Sequence, residues 1–363
     1  MSKCPSTFRP PFCPRPGCAY HRDPTGWRFK RIGFYRRAFP PRRVQRYLCL
    51  TCRASFSFQT FQTTYYLKRP DLLSTIFHRS LACSAYRQIA RELRVSPSTV
   101  MRHCERLGRH CLLFQQQFRD IVPLDEPLVA DGFESFEYSQ YHPCHFHLVV
   151  GKDSHFLHAF TDSELRRKGR MTKVQKRRRE ELEREFGRPD PKSIEKEMAE
   201  ALQLLPGSGP LELHTDEHPA YPRALRRVRR EVRHIVTSSK LPRTAGNPLF
   251  PVNLADLLIR HCGANHKRET IAFSKRRQGA AERLAIFQVW RNFVKAFSER
   301  HGGGTPAERV GVAGRALSVA EVLERRLFLT RVGLPGRLLR YYRREVTTRR
   351  IPRGRTHRLV HAD

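Results

Sequence analysis

Four side chains, drawn from three separate stretches of the chain, have the chemistry to handle a phosphodiester: Asp131, Asp216, Asn253 and Arg260. Asp131 ends the short apolar run Leu128-Val129-Ala130. Asp216 follows Leu211-Glu212-Leu213-His214-Thr215. Each reads as an aspartate at a strand end, where the ladder fixes the carboxylate and the loop admits a substrate. Either alone is more commonly a turn or cap residue, so the pair carries the reading. Two such carboxylates on neighbouring strands would hold Mg2+ or Mn2+, because Mg2+ takes one or two carboxylates and fills its shell with water and phosphate. Two ions about 4 Å apart would activate an attacking oxygen and stabilise a leaving one. Asn253 opens the helical run Leu254-Ala255-Asp256-Leu257-Leu258-Ile259-Arg260. At about 100° per residue, Asn253, Asp256 and Arg260 share one face, and Leu254, Leu257 and Leu258 form the buried one.

A second constellation lies near the N-terminus. Cys13 and Cys18 form one pair, Cys49 and Cys52 another, with thirty residues between the pairs. Two thiolate knuckles joined by a strand-rich spacer suit a tetrahedral Zn2+ site. Trp27 to Arg31 and Arg46 to Leu48 mix aromatic and polar residues as short strands do, and Phe56-Ser57-Phe58 alternates. So short and polar a segment needs a staple. Cys4 and His21 are close enough in sequence to replace Cys13 or Cys18. The metal is expected to be structural, and the basic spacer could touch DNA.

These groups need elements to position them. From Leu72 to Leu113 the periodicity is helical. Leu72, Leu73, Ile76 and Phe77 form one stripe, and Ile89, Ala90 and Leu93 a second. Arg94-Val95-Ser96 reads as a turn, with Ser96 as N-cap and Pro97 in the first helical position. Val100, Cys104 and Leu107 would face inward. Ser98, Thr99, Arg102, His103 and Arg106 would face outward, with Ala90 allowing a close helix crossing. This is the pattern of a helix-turn-helix whose second helix enters a major groove.

Further strands are expected at Phe146–Gly151, His155–Phe160 and His234–Thr237, with helices near 222–230, 254–260 and 282–298. The fold class is therefore α/β and multi-domain: a zinc ribbon at 1–66, a helix-turn-helix at 67–122, and a mixed sheet with flanking helices at 123–301. A charged stretch, 164–205, reads as a helical insertion, either exposed or reaching DNA. Gly302-Gly303-Gly304 ends the core, and 302–363 reads as a basic tail. Tyr341 and Tyr342, set among arginines, are read as packing or base-stacking groups.

The 363 residues carry 69 Lys and Arg against 34 Asp and Glu, a formal net charge of +35. Such an excess favours a polyanionic partner, because each neutralised phosphate releases condensed counterions. No run of about 18 apolar residues appears, so no membrane span is expected. The start, Met1 to Pro5, lacks the apolar core of a signal peptide. The expectation is a cytoplasmic chain, associated with the nucleoid when bound to DNA. Its ten cysteines would then be metal ligands or buried thiols.

Taken together, Asp131, Asp216, then Asn253 with Arg260 seven residues on, resemble the Asp-Asp-Asn/Glu plus Lys/Arg signature of ribonuclease-H-like insertion-sequence transposases. Lys267-Arg268-Glu269-Thr270-Ile271-Ala272-Phe273-Ser274-Lys275 resembles an Arg-Lys-Thr-Ile-Cys-Phe-Ser segment found in some of these families. Members also begin with a zinc ribbon and a helix-turn-helix, so the resemblance spans roughly residues 13–300. It implies a ribonuclease-H-like sheet on which Asp131 and Asp216 bind two Mg2+ ions. Asn253 would lend a neutral amide oxygen, and Arg260 would hold a phosphate. Water and then a DNA 3′-hydroxyl would attack, with no covalent enzyme intermediate. The implied partners are double-stranded DNA, as transposon ends and target, and a second copy of the chain in a homo-oligomer.

Many relatives carry Glu at the third position, so Asp256 and Glu269 stay open as alternatives to Asn253. Glu134 and Glu137 stay open as alternatives to Asp131. Two other functions fit the same residues: a non-catalytic DNA-binding regulator, and a metal-dependent nuclease that does not join strands.

Overall fold

The computed structural model describes residues 8–267 and 270–351. Three strands open the chain: β1 (Phe29–Arg36), β2 (Arg43–Cys49) and β3 (Ser55–Ser57), an antiparallel sheet in that order. It buries an aromatic stack in which Tyr47 and Trp27 lie against Phe56, with ring centroids 5.5 and 5.9 Å away. Rings carry most of the apolar area that so small a sheet can bury.

Three helices follow: α1 (Leu73–Ser80), α2 (Tyr86–Glu92) and α3 (Pro97–Gln116). Ser96 caps α3 by accepting from the Thr99 amide at 3.2 Å, with Pro97 in the first turn. The cap satisfies one of the amides that a helix start leaves unpaired. Beyond Arg106, α3 is buried on every side as far as Gln115.

The second sheet is mixed. Its strands are β4 (Leu128–Phe136), β5 (Pro143–Gly151), β6 (Leu157–Glu164), β7 (Leu211–Thr215) and β8 (Val232–Val236). The order is β6-β5-β4-β7-β8. β4, β5 and β6 are antiparallel, whereas β7 runs parallel to both β4 and β8. The helices that flank it are α4 (Lys173–Phe186), α5 (Ser193–Gln203), α6 (Ala220–Leu225), α7 (Phe250–Cys262) and α8 (Arg277–Val289). Apolar side chains alternate across the strands as the pleat requires. Val129, Phe133, Phe146, Leu148 and Val150 join one core with α3, α7 and α8. Leu128, Ala130, Val149 and Ala159 join another with α5 and α6. Among the described residues, no helix is long and apolar enough to cross a membrane.

Several expectations need correction. The strand carrying Asp131 does not end there: β4 stays paired with β5 as far as Phe136. The charged insertion is only half exposed. α4 buries Leu182 alone, but α5 buries Met198, Ala199, Ala201 and Leu202 against the sheet. On α7 the inward residues are Val252, Ala255 and Ile259, and Leu257 is 61% exposed. Leucines occur on both faces of α7, so their spacing alone gives an apolar stripe out of phase with the buried one.

The expected basic tail is, up to residue 351, part of the core. Val319, Val322, Tyr341, Tyr342 and Val346 are buried in the same cluster as α3 and α8. Tyr341 also donates its hydroxyl to Asp162 Oδ1 at 2.5 Å. The basic end expected as far as Arg358 lies partly outside the described residues.

Candidate functional sites

The N-terminal centre is built by two tight turns. Cys13 and Cys18 flank Pro14-Arg15-Pro16-Gly17, and the Cys18 amide donates to the Arg15 carbonyl at 3.0 Å. Cys49 ends β2, and the chain turns back through Cys52 to Arg53, whose φ is 60°. The four Sγ atoms lie within 4.8 Å of one another. Cys13 to Cys52 is 3.6 Å, and Cys18 to Cys49 is 4.0 Å. Thiolates at about 2.3 Å from a tetrahedral Zn2+ would sit about 3.8 Å apart. The cluster therefore fits a structural Zn2+ ion.

Burial pushes the thiols of Cys13 and Cys18 up. It acts on Cys49 too, but the Cys52 amide, the Trp27 indole and the Thr51 amide outweigh it and bring that thiol down to about 6. The Trp27 Nε1–Sγ distance is 3.2 Å. Such donors orient a thiolate toward a metal. His21 is not a ligand, since Nδ1 faces the Cys13 carbonyl at 2.8 Å and Nε2 the Thr330 hydroxyl at 2.8 Å. Cys4 lies outside the described residues.

The second site lies where β4 and β7 part. Their parallel register pairs Leu128 with Leu213 and Val129 with His214. Asp131 and Asp216 stand three positions beyond the first of these pairs, level with one another. Asp216 Oδ1 accepts the His218 amide at 2.9 Å. Asp131 Oδ1 accepts the Tyr221 hydroxyl at 3.1 Å. Burial first, and then the charges of Asp216 and Asp256, push the Asp131 carboxyl up to about 6, against the Gly132 amide and the Tyr221 hydroxyl, which pull it down. Two neighbouring carboxylates thus act against ionisation of a third, which is the electrostatic state that a divalent cation relieves.

From α7, Asp256 reaches this field and binds Arg260, Nε to Oδ1 at 2.8 Å. The same guanidinium lies 3.3 Å from the Glu134 and His266 carbonyls and covers the Phe133 ring at 5.3 Å. Asn253 is half-buried one turn earlier on α7. Among the described residues, the four cysteines are the only set of three or more His, Cys, Asp or Glu whose ligand atoms lie within 4.8 Å of one another. The three aspartates approach but do not close to that distance. Glu137 is committed elsewhere, 3.6 Å from Arg277. Glu134 is exposed. Glu269 and Arg268 lie outside the described residues.

Two neighbours of this site were missed by sequence reading. Tyr221 follows Asp216 by little more than one helical turn, a spacing that could have marked it. His145 is pushed down to about 4, by burial first and then by His218 and Arg260. Only the strand pairing brings it near.

On the helix-turn-helix segment, Ser98 and Arg102 are exposed and Thr99 is half-buried. His103 and Arg106 point inward, contrary to expectation. His103 Nδ1 meets the Thr99 carbonyl at 2.8 Å, and Nε2 the Arg69 carbonyl at 2.9 Å. Arg106 donates to the Thr63 carbonyl at 3.1 Å, and burial brings it down to about 10. The packing of the 63–69 loop over α3 was invisible to helical periodicity. Arg87, Arg91 and Arg94 are exposed on and just after α2 and were not singled out.

No family model matches the chain. A comparison with curated proteins finds no match either.

Proposed function

We propose that the chain is a metal-dependent DNA transposase of the ribonuclease-H-like class, which cuts and rejoins strands at insertion-sequence ends. The observation that carries this reading is Asp131 beside Asp216 on adjacent parallel strands, with Asp256 and Arg260 of α7 brought to the same place. Asp131 and Asp216 would hold Mg2+ or Mn2+, with Asn253 or Asp256 as third donor. The metal supplies a polarised phosphoryl oxygen and a more acidic attacking water. Tyr221 orients the Asp131 carboxylate by donating its hydroxyl. Asp256 and the Glu134 and His266 carbonyls fix the Arg260 guanidinium, which would present a positioned positive charge to a phosphate. A net charge of +35 and the exposed arginines of α2 and α3 support double-stranded DNA as substrate. Pairing of two DNA ends calls for a homo-oligomer.

Cleavage and joining of DNA carrying the sequences that flank this gene tests the proposal. Wild-type protein with Mg2+ or Mn2+ should cut and join, and Asp216→Ala should do neither. Cutting without joining would assign a nuclease. One observation favours a non-catalytic DNA-binding regulator: the three aspartates do not close to ligand spacing, and Asn253 adds no charge. Tight duplex binding without cleavage in either protein would select that reading.

A further inference from the structure

Beside the ribbon hairpin lies an open cavity of about 470 Å3. Small-molecule sites commonly enclose roughly 300–1,000 Å3. Tyr35 from β1, Phe39 from the hairpin, and Tyr65 and Tyr66 from the following loop line it over a floor of Phe56. Arg37, Arg46 and Lys68 are its cations, and no carboxylate lines it. Tyr66 is 65% exposed and Tyr35 38% exposed. The Tyr65 and Tyr66 rings meet edge-on at 4.6 Å.

The walls are held in place. Arg37 bridges the hairpin to the loop, donating to Gln59 Oε1 and, at 3.5 Å, to the Leu67 carbonyl. Tyr66 has φ 59°, where aromatic residues rarely sit. Arg46 and Lys68 remain exposed at the rim.

We propose that this cavity binds an unpaired nucleotide of a DNA strand, with the base stacked on the tyrosine rings and the phosphate against Arg46 and Lys68. The inference rests on the DNA-handling reading and adds a site to it that neither the helix-turn-helix nor the aspartates supply. Stacking on a ring is open to any base, because every base has a π-face. Cations without neighbouring carboxylates select the anionic backbone. The volume suits one nucleotide and not a duplex, so the ligand is an end or a distorted junction, where strands part.

Full-length, zinc-loaded protein is titrated by fluorescence anisotropy against three probes. These are a blunt duplex, the same duplex with a three-nucleotide single-stranded extension, and that duplex with an abasic extension. The extension should tighten binding about tenfold, from one stacked base, and the abasic extension should not. Tyr66→Ala and Tyr35→Ala should lose the preference while keeping blunt-duplex affinity and zinc content, and Tyr66→Phe should retain it. Equal binding of extended and abasic probes, or a Tyr66→Ala variant that keeps the preference, overturns the site. Blunt-duplex binding with no gain from the extension sinks this inference alone. No binding of any probe at low salt sinks the DNA-handling reading with it.

Discussion

Asp131 shows how one residue can be costly to the fold and apt for chemistry. Burial first, and then Asp216 and Asp256, push its carboxyl up to about 6. The folded chain therefore keeps a proton that the unfolded chain releases near the ordinary value of about 4. The stability this proton confers is complete below about pH 4 and is lost as pH rises through about 6. Asp131→Asn cannot ionise. In magnesium-free, zinc-replete buffer it should flatten the fall in melting temperature between pH 4 and 7. At pH 7 it should gain about 3 kcal/mol, the equivalent of roughly two pKa units. An unchanged pH profile in thermal unfolding would refute this account. The same variant should lose more than about 100-fold in metal-dependent cleavage, beyond the usual cost of an outer-shell partner. The third donor can be assigned by comparison. If Asp256 is the ligand, Asp256→Ala should abolish cleavage that survives Asn253→Ala, and the reverse pattern would assign Asn253.

Elements contribute by close approach and by stapling. α3 and α8 cross at Gly108, where an added Cβ would meet Glu282 Cβ at 2.8 Å and its backbone at 2.9 Å. Backbone cannot rotate away, so Gly108→Ala should cost about 1–3 kcal/mol by overpacking. That outweighs the gain in helix propensity of about 1 kcal/mol. A raised melting temperature would show that the helices can separate freely. The ribbon depends on its thiols in a different way. Its small sheet has one aromatic stack, and its metal free energy is folding free energy. Cys49→Ser should lose bound zinc, measured by atomic absorption, and open the hairpin to proteolysis, while the α/β core keeps its helical circular dichroism.

At the scale of the molecule, buried ion pairs tie the C-terminal stretch to the large sheet. Asp162 on β6 is 1% exposed. It binds Arg277 Nε at 2.5 Å and the Tyr341 hydroxyl at 2.5 Å, while its backbone carbonyl accepts from Arg337 at 3.2 Å. Arg337 also pairs with Glu197 of α5. Burial favours the neutral form of Arg277, but Asp162, Glu137 and Glu164 overcome it and hold the cation firmly charged. Removing one partner strands buried charge, at a cost of about 3–5 kcal/mol. Asp162→Ala should lower the urea midpoint accordingly, and a shift under about 1 kcal/mol would mean that the network relaxes without loss.

Much of this was legible in the residues themselves. The two Cys pairs, the Ser96 cap with Pro97, and the short run that leads into Asp216 follow local rules of spacing and periodicity. So does the mixture of strands and helices, because 2.0 and 3.6 periods are written in the order of residues. Tertiary structure decided the rest. Periodicity says that His103, Arg106 and Leu257 lie on a helix face, but only the packing partner decides which face is inside. Strand pairing, which no local rule sets, put Asp131 level with Asp216 and brought His145 nearby. The C-terminal stretch looked like a basic tail because its charge dominates its composition. Arg337 and Arg349 instead meet Glu197 and Glu164, more than a hundred residues away, and a long-range ion pair leaves no local mark.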